Sequence, residues 1–186
     1  MFVFDIETLS IESSAVILTA AMVYFDDGMS YDEIVEKSIF VKFNAKEQIS
    51  NYKRTVSKST LKWWSKQSSI ARDLSFNPTP NDVSAIDGIE LFRDYLKIDP
   101  SPKKIIWARG GLDQMAFESL CNATDTKTIV HYNQWRDVRT AVDLLATTSD
   151  DGYCDINHPT FSVQKVLKHH PVHDCAYDAM MLLYPI

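Results

Sequence analysis

The chain has 186 residues, enough for one domain with its own core and too few for two. Hydrophobic content of 45% and charged content of 24% are those of a globular protein, and no apolar run is long enough to span a membrane. A formal net charge of −6 argues against a uniformly basic nucleic-acid binder.

Phe2 to Glu7 is predicted as the first strand, with aromatic and β-branched residues from the second position onward. No basic region precedes this short apolar run, so a secretory signal is not expected. Val16 to Phe25 is mostly apolar and predicts a second strand inside the sheet, closed by the turn Asp26-Asp27-Gly28. From Ile34 to Phe43 the residues Val35, Lys37, Ile39, Val41 and Phe43 share one parity, which predicts a third strand and an antiparallel meander. Ser59 or Thr60 can cap a short helix from Leu61 to Lys66. After the loop Asn77-Pro78-Thr79-Pro80-Asn81, Asp82 is expected to cap an amphipathic helix carrying Val83, Ile86, Ile89, Phe92 and Leu96. Lys104 to Trp107 is a short buried strand, which Gly110-Gly111 turns into a helix from Leu112 to Cys121. Thr128 to Tyr132 is predicted as the last strand, Asp137 to Ala146 as a helix and Ser149 to Pro159 as a polar loop. The closing helix runs from Asp174 to Leu183.

Three meandering strands followed by alternating helices and strands define an α/β fold: a mixed sheet flanked by helices, in the ribonuclease H-like order. One domain over residues 1–186 is expected. Such a fold does not by itself assign a function. Charge distribution is more informative than its sum. Eight of the 19 Lys and Arg residues fall between Lys42 and Arg72 against the single acid Glu47, so the rest of the chain is strongly acidic. A carboxylate-lined metal site beside a phosphate-binding flank has that distribution; a solvated basic loop is the bland alternative.

Asp5-Ile6-Glu7-Thr8 ends the first strand. Strand side chains alternate faces, so Asp5 and Glu7 project to one side, two rises of about 3.3 Å apart. Paired carboxylates beside an apolar segment are unfavourable unless something neutralises them. A hard divalent cation does so, and Mg²⁺ accepts one or two carboxylates together with water and phosphate. Asp113 follows Trp107-Ala108-Arg109-Gly110-Gly111-Leu112, at the carboxyl end of a strand, where open α/β sheets place their sites; a helix-dipole acid is the alternative. In His173-Asp174-Cys175-Ala176-Tyr177-Asp178, a histidine stands five residues before an aspartate, which can set an imidazole at a helix entrance and a carboxylate one turn inside. Histidine is suited to accept a proton from water near neutral pH. His169 and Asp174 have the same spacing. Pro171 interrupts that pair and Asp174 suits a helix cap, which favours His173 and Asp178.

Asp5-x-Glu7, Asp113 and His173-x₄-Asp178, in this order, resemble the DEDD superfamily of 3′→5′ exonucleases, histidine subtype. The stretches Lys58 to Gln67, Trp107 to Gly110, Arg136 to Thr140 and His173 to Asp178 extend the similarity to the exonucleases of T-even phages and the RNase AS-type exoribonucleases. The chain departs from the pattern by a shortening around Gly110 to Asp113, with Asp125 and Asp137 as fallback acids, and by ending near its last helix. The resemblance implies that Asp5, Glu7, Asp113 and Asp178 hold two Mg²⁺, for which Mn²⁺ substitutes, and that His173 is the general base. It implies release of 5′-mononucleotides from a single-stranded 3′ end by two-metal-ion hydrolysis, DNA being the expected polymer, in a phage-infected bacterial cytoplasm. An exoribonuclease whose pocket accepts the 2′-hydroxyl is the nearest alternative. A catalytically silent nucleic-acid-binding module is the alternative from another class.

Trp63 and Trp64 lie in the basic segment, where aromatic faces between lysines suit a single strand. Adjacent tryptophans on a helix point apart, so one of the two is expected in the core. Thr8 and Leu9 are candidates for contacts to the terminal base, Arg109 for substrate, and Arg136 and Arg139 for phosphate or for pairing with Asp137 and Asp143. Cys121, Cys154 and Cys175 form no CxxC pair and predict reduced thiols in the cytoplasm. The cluster Cys154, His158, His169, His170, His173 and Cys175 fits no closed zinc pattern.

Overall fold

A computed structural model describes residues 1–186. Its centre is a five-stranded mixed sheet in the order β3-β2-β1-β4-β5, formed by β1 (Phe2–Thr8), β2 (Ile17–Tyr24), β3 (Ser38–Lys42), β4 (Ile106–Ala108) and β5 (Trp135–Asp137). The first three strands are antiparallel neighbours, and β4 and β5 run parallel to β1. The expected α/β class and helix-flanked mixed sheet are therefore present, in an arrangement compatible with the ribonuclease H-like order.

Alternation along β1 divides the core. Phe2, Phe4 and Ile6 face one layer, where Phe4 meets Phe92 and Phe117 edge-to-face at 5.3 and 4.9 Å. Those rings come from α5 (Ala85–Tyr95) and α6 (Leu112–Ala123). Val3 faces the opposite layer, against α8 (Pro171–Leu183) and α1 (Tyr31–Glu36). Small residues on α8, Cys175, Ala176 and Ala179, bring its axis close to the sheet, and the Cys175 thiol donates to the Ala21 carbonyl at 3.6 Å. Asp5 and Glu7 lie on this α8 side by the same period-two rule that buries Phe4 on the other.

The sequence expectation fails in five places, each for a local reason. The alternating run from Ile34 is not a continuous strand: Ser30 and Glu33 form a capping box that starts α1, and β3 begins only at Ser38. The segment Thr128 to Tyr132 is not a strand; His131 and Gln134 close a turn, and β5 begins at Trp135. Asp82 does not cap α5. It holds Thr79, while Ser84 accepts from the Asp87 amide at 3.1 Å. This shifts the buried face to Ala85, Gly88, Ile89 and Phe92 and leaves Ile86 exposed; Gly88 lies against the Phe43 ring with no room for a Cβ. The short tryptophan helix, α3 (Lys58–Trp64), starts after Ser57, ahead of the expected caps. Finally, α8 starts at Pro171, three residues earlier than predicted, with proline at the first helical position, where its missing N–H is harmless.

The remaining elements are α2 (Ala45–Tyr52), α4 (Ser69–Ala71), which continues into a π-helical turn at Arg72–Phe76, and α7 (Val138–Leu145). No sequence expectation covered α2. Its buried Gln48 receives the Ile17 N–H at 2.9 Å and donates to the Ile17 carbonyl at 2.7 Å, completing the edge of β2 through a side chain. Asp137 caps α7, accepting from the Thr140 amide at 2.7 Å, and also receives the Gly110 N–H at 2.8 Å. No helix is long and apolar enough to cross a membrane.

Candidate active site

The carboxyl ends of β1 and β4 point to the same edge of the sheet because the two strands are parallel. Above that edge, β1 supplies Asp5 and Glu7, the first turn of α6 supplies Asp113, and α8 supplies Asp174 and Asp178 one turn apart. Carboxylate oxygens of Asp5, Glu7 and Asp174 lie within 4.8 Å of one another.

The five acids are not equivalent. Asp178 is gripped by Arg109, whose Nη2 and Nε donate to Oδ1 at 2.6 and 3.0 Å. No lysine or arginine forms an ion pair with the other four, although Arg109 and Lys168 line one cavity with Asp5, Glu7 and Asp174; His169 has its Nδ1 3.8 Å from Glu7 Oε1. Burial raises the affinity of Asp5 for its proton well above the ordinary carboxylate range, and Asp113, Asp174, Glu7 and Asp178 add to it. Burial, then Asp174 and Asp113, pushes Glu7 up to about 8. Asp113 is pushed up to about 8 by burial and Asp178, and Asp174 to about 7 by the same two causes. Asp178 is raised by burial and held back by Arg109.

A half-buried set of oxygen donors that forms no ion pair with lysine or arginine suits a hard divalent ion. The fit is chemical as well as geometric: these acids hold their protons above the usual range because they are withdrawn from water and crowd one another, and a bound cation would offset both effects.

His169 and His173 occupy different places. His169 has a left-handed backbone, φ 61°, just before α8, and its ring sits edge-on to Trp63 at 4.9 Å in the wall of the cavity over the acids. Burial, then Lys168, lowers its pKa, which favours the neutral imidazole. His173 does not line that cavity. Its Nδ1 is 2.6 Å from the Tyr31 hydroxyl, toward α1, and its ring packs on His170. The early start of α8 causes this division. With Pro171 at the first helical position, Asp174 and Asp178 share the face above β1, while His173 is turned about 100° away from Asp174. Asp174 is thus a member of the cluster and not a cap. Proline at a helix start is the sequence signal that could have placed it.

The other candidates separate in the same manner. Trp64 is buried, stacks on Phe76 and donates to the Thr8 carbonyl at 2.9 Å. Its neighbour Trp63 is 40% exposed and borders both the cavity over the acids, of about 650 Å³, and an adjoining one of about 450 Å³. Thr8 lines the smaller cavity, but the Leu9 side chain is buried beneath Trp64 and is not at the surface. Ile11, 82% exposed, takes the position expected of Leu9. Arg109 lines the larger cavity with its charge already committed to Asp178. Of the fallback acids, Asp137 is a helix cap and Asp125 lies in a left-handed turn after α6. Arg139 is 3.9 Å from Asp151, and Arg136 donates to the Asn133 and Trp135 carbonyls. In the basic segment, Arg54 is a buried structural group and Arg72 binds the Ser65 and Gln67 carbonyls, whereas Lys58, Lys62 and Lys66 are exposed. The three cysteines are free and buried, and no cysteine joins a metal-binding group.

Residues 1–185 match the family described as the Rv2179c-like 3′-5′ exoribonuclease domain. The chain is also 32% identical over 206 residues, spanning 100% of itself and 88% of the relative, to a protein of Enterobacteria phage T4 named exodeoxyribonuclease. Family membership of this kind implies dependence on a divalent cation, for which the carboxylate cluster offers ligands. With a sheet edge that gathers four acids not paired to lysine or arginine, and with similarity along its whole length, the chain belongs to the Rv2179c-like 3′-5′ exoribonuclease domain family and is a 3′-5′ exonuclease.

Proposed function

We propose that this single-domain protein removes 5′-mononucleotides from the 3′ end of single-stranded DNA in the cytoplasm, with Asp5, Glu7, Asp113 and Asp174 as ligands for two Mg²⁺ and His169 as general base. One observation carries the assignment: ligand oxygens of Asp5, Glu7 and Asp174 converge within 4.8 Å beside His169, with no lysine or arginine paired to them. Asp178 also lines the cavity but is chelated by Arg109, and His173 meets the Tyr31 hydroxyl, so this proposal gives the ligand and base roles expected of Asp178 and His173 to Asp174 and His169.

When bound, the cations would supply charge stabilisation at the scissile phosphate and a more acidic water. The chain's own residues do the rest. Asp5 and Glu7 are fixed by the pairing of β1 to β2, so the donor atoms need little rearrangement. His169 is neutral near pH 7 and stands ready to take a proton. The smaller cavity, bordered by Thr8, Ile11, Thr60, Trp63 and Leu112, receives the terminal nucleoside, whose base meets the exposed apolar groups. Lys58 and Lys62 are exposed on α3, the helix that also brings Ser59, Thr60 and Trp63 to that pocket, and are the nearest candidates in sequence for a phosphate contact.

DNA is favoured by similarity to the phage protein named exodeoxyribonuclease. RNA is the second reading: the family description names an exoribonuclease, and the Ser59 and Thr60 hydroxyls border the smaller cavity, where a 2′-hydroxyl could find a partner. Digestion of matched 5′-labelled DNA and RNA oligonucleotides in Mg²⁺ decides between them, with faster loss of DNA expected. Asp5→Asn is expected to lower the rate at least about 100-fold on either polymer; wild-type rates in that variant would overturn the assignment of the site.

A further inference from the structure

The larger cavity continues past the acids to a wall that the terminal nucleotide does not need. On that wall Tyr153 is 43% exposed, although it lies on a loop. One face of its ring is covered by Arg109, whose Cζ is 4.0 Å from the ring centroid. Arg109 is itself immobilised: it chelates Asp178, and its Nη1 donates to the Gly152 carbonyl at 2.9 Å. The loop is pinned from its other side, where the Gly152 amide donates to Asp143 at 2.9 Å. Asp150 and Tyr153 also exchange backbone hydrogen bonds at 2.8 and 3.1 Å. An aromatic ring braced from behind by a half-buried, immobilised cation is a rigid surface whose opposite face the cation leaves uncovered. The same cavity is lined by Lys168, next in sequence to His169, which is exposed and forms no ion pair with a carboxylate.

The two cavities meet at Ile6, Glu7 and Trp63. A strand whose last nucleoside fills the smaller one and whose scissile phosphate lies over the acids must enter the larger one with its next nucleoside. We propose that Tyr153, held by Arg109, is a second nucleobase platform that stacks the penultimate base, and that Lys168 meets the phosphate beyond it. This rests on the placement of the terminal nucleotide proposed above. Arg109 then acts on substrate through Tyr153 as a positioning residue. The platform is indifferent to base identity, because every base offers a π-face.

The test uses 5′-labelled oligonucleotides of whichever polymer the wild-type protein cleaves faster, intact or with a tetrahydrofuran abasic residue at the penultimate position. First-cleavage KM and kcat are measured for wild type, Tyr153→Ala and Tyr153→Phe. Loss of one stacked base is expected to raise KM by about 5- to 100-fold. Wild type shows this rise on the abasic substrate. Tyr153→Ala shows it on the intact substrate, with no further rise on the abasic one and kcat within about threefold of wild type. Tyr153→Phe behaves as wild type. A Tyr153→Ala defect equal on both substrates, or a wild type indifferent to the missing base, overturns the platform. Wild type that cleaves neither intact polymer overturns the exonuclease site itself. Lys168→Gln is expected to lessen the slope of log KM against log salt by about 0.7, one single-strand phosphate contact; an unchanged slope removes that contact.

Discussion

His169 and His173 are four residues apart and face different neighbours, so substitution separates their roles. His169→Ala is expected to lower kcat by about 10²- to 10⁴-fold and to flatten the acid limb of the pH–rate profile. His173→Ala is expected to leave kcat within about threefold but to destabilise by about 1–3 kcal/mol, because the Tyr31 hydroxyl loses a partner at 2.6 Å. Equal losses of kcat in the two variants would count against His169 as the base. Asp178 makes a similar contrast with Asp174. Asp178→Asn strands the Arg109 guanidinium in a half-buried position and should reduce unfolding free energy by about 3–5 kcal/mol in urea denaturation. Asp174→Asn removes a repelling charge and should leave metal-free stability equal or higher while abolishing turnover. Arg109 was expected to touch substrate. An arginine near a cluster of acids is drawn first to the one it can chelate, and the sequence does not say which acid that is.

At the scale of elements, Arg54 fastens the substrate side of the molecule. It follows α2, is buried, and donates to the carbonyls of Ser13, Ala15 and Ala116 and to the Ser119 hydroxyl. These bonds tie the turn that carries Ile11 to α6, which carries Leu112 and Asp113. Its charge has no carboxylate partner, and burial lowers its pKa to about 10. Arg54→Met is expected to cost at least about 2 kcal/mol, since several buried carbonyls lose their donors together. Arg54→Lys should fall between the two, and a urea midpoint equal to wild type for Arg54→Met would refute the fastening role. Sequence reading assigned Arg54 to a basic flank because charge was legible and burial was not. The elements follow the same division. Strands β1 and β2 were visible from their apolar runs, and α6 from the glycine turn before it. Helix α1 was hidden because its alternating hydrophobic residues mimic a strand, while the Ser30–Glu33 box decides the local structure. Strand β5 is three residues long, too short for any periodicity to mark it.

For the whole molecule, the unneutralised acids couple stability to pH and to the cation. Glu7 and Asp113 are pushed up to about 8, and Asp174 to about 7. At these groups the metal-free folded state therefore binds more protons than the unfolded chain up to about pH 8, while His169, His170 and His173, lowered by burial, act in the opposite direction below the ordinary histidine range. Above that range stability falls as pH rises, since it rises only where the unfolded state binds more protons. In EDTA, Tm is expected to decline above the histidine range, from about pH 6.5 to pH 8. Mg²⁺ requires the ionised acids, so the rise in Tm that it produces should grow over the same interval. A Tm in EDTA that climbs toward pH 8 would contradict the uncompensated cluster. The α/β class, the basic segment, the strand bearing Asp5 and Glu7, and the kinship with 3′→5′ exonucleases were all determined by the sequence alone. These follow from period-two alternation and ordered motifs, which are local. Tertiary structure decided which histidine stands beside Glu7, which acid Arg109 neutralises, and which of Trp63, Trp64 and Leu9 reach the surface. Each depends on the start and rotation of α8 or α3 against the sheet, a matter of packing between segments distant in the chain. The metal-binding acids proposed at the edge of β1 are set by both: alternation aims Asp5 and Glu7, and only the docking of α8 brings Asp174 to them.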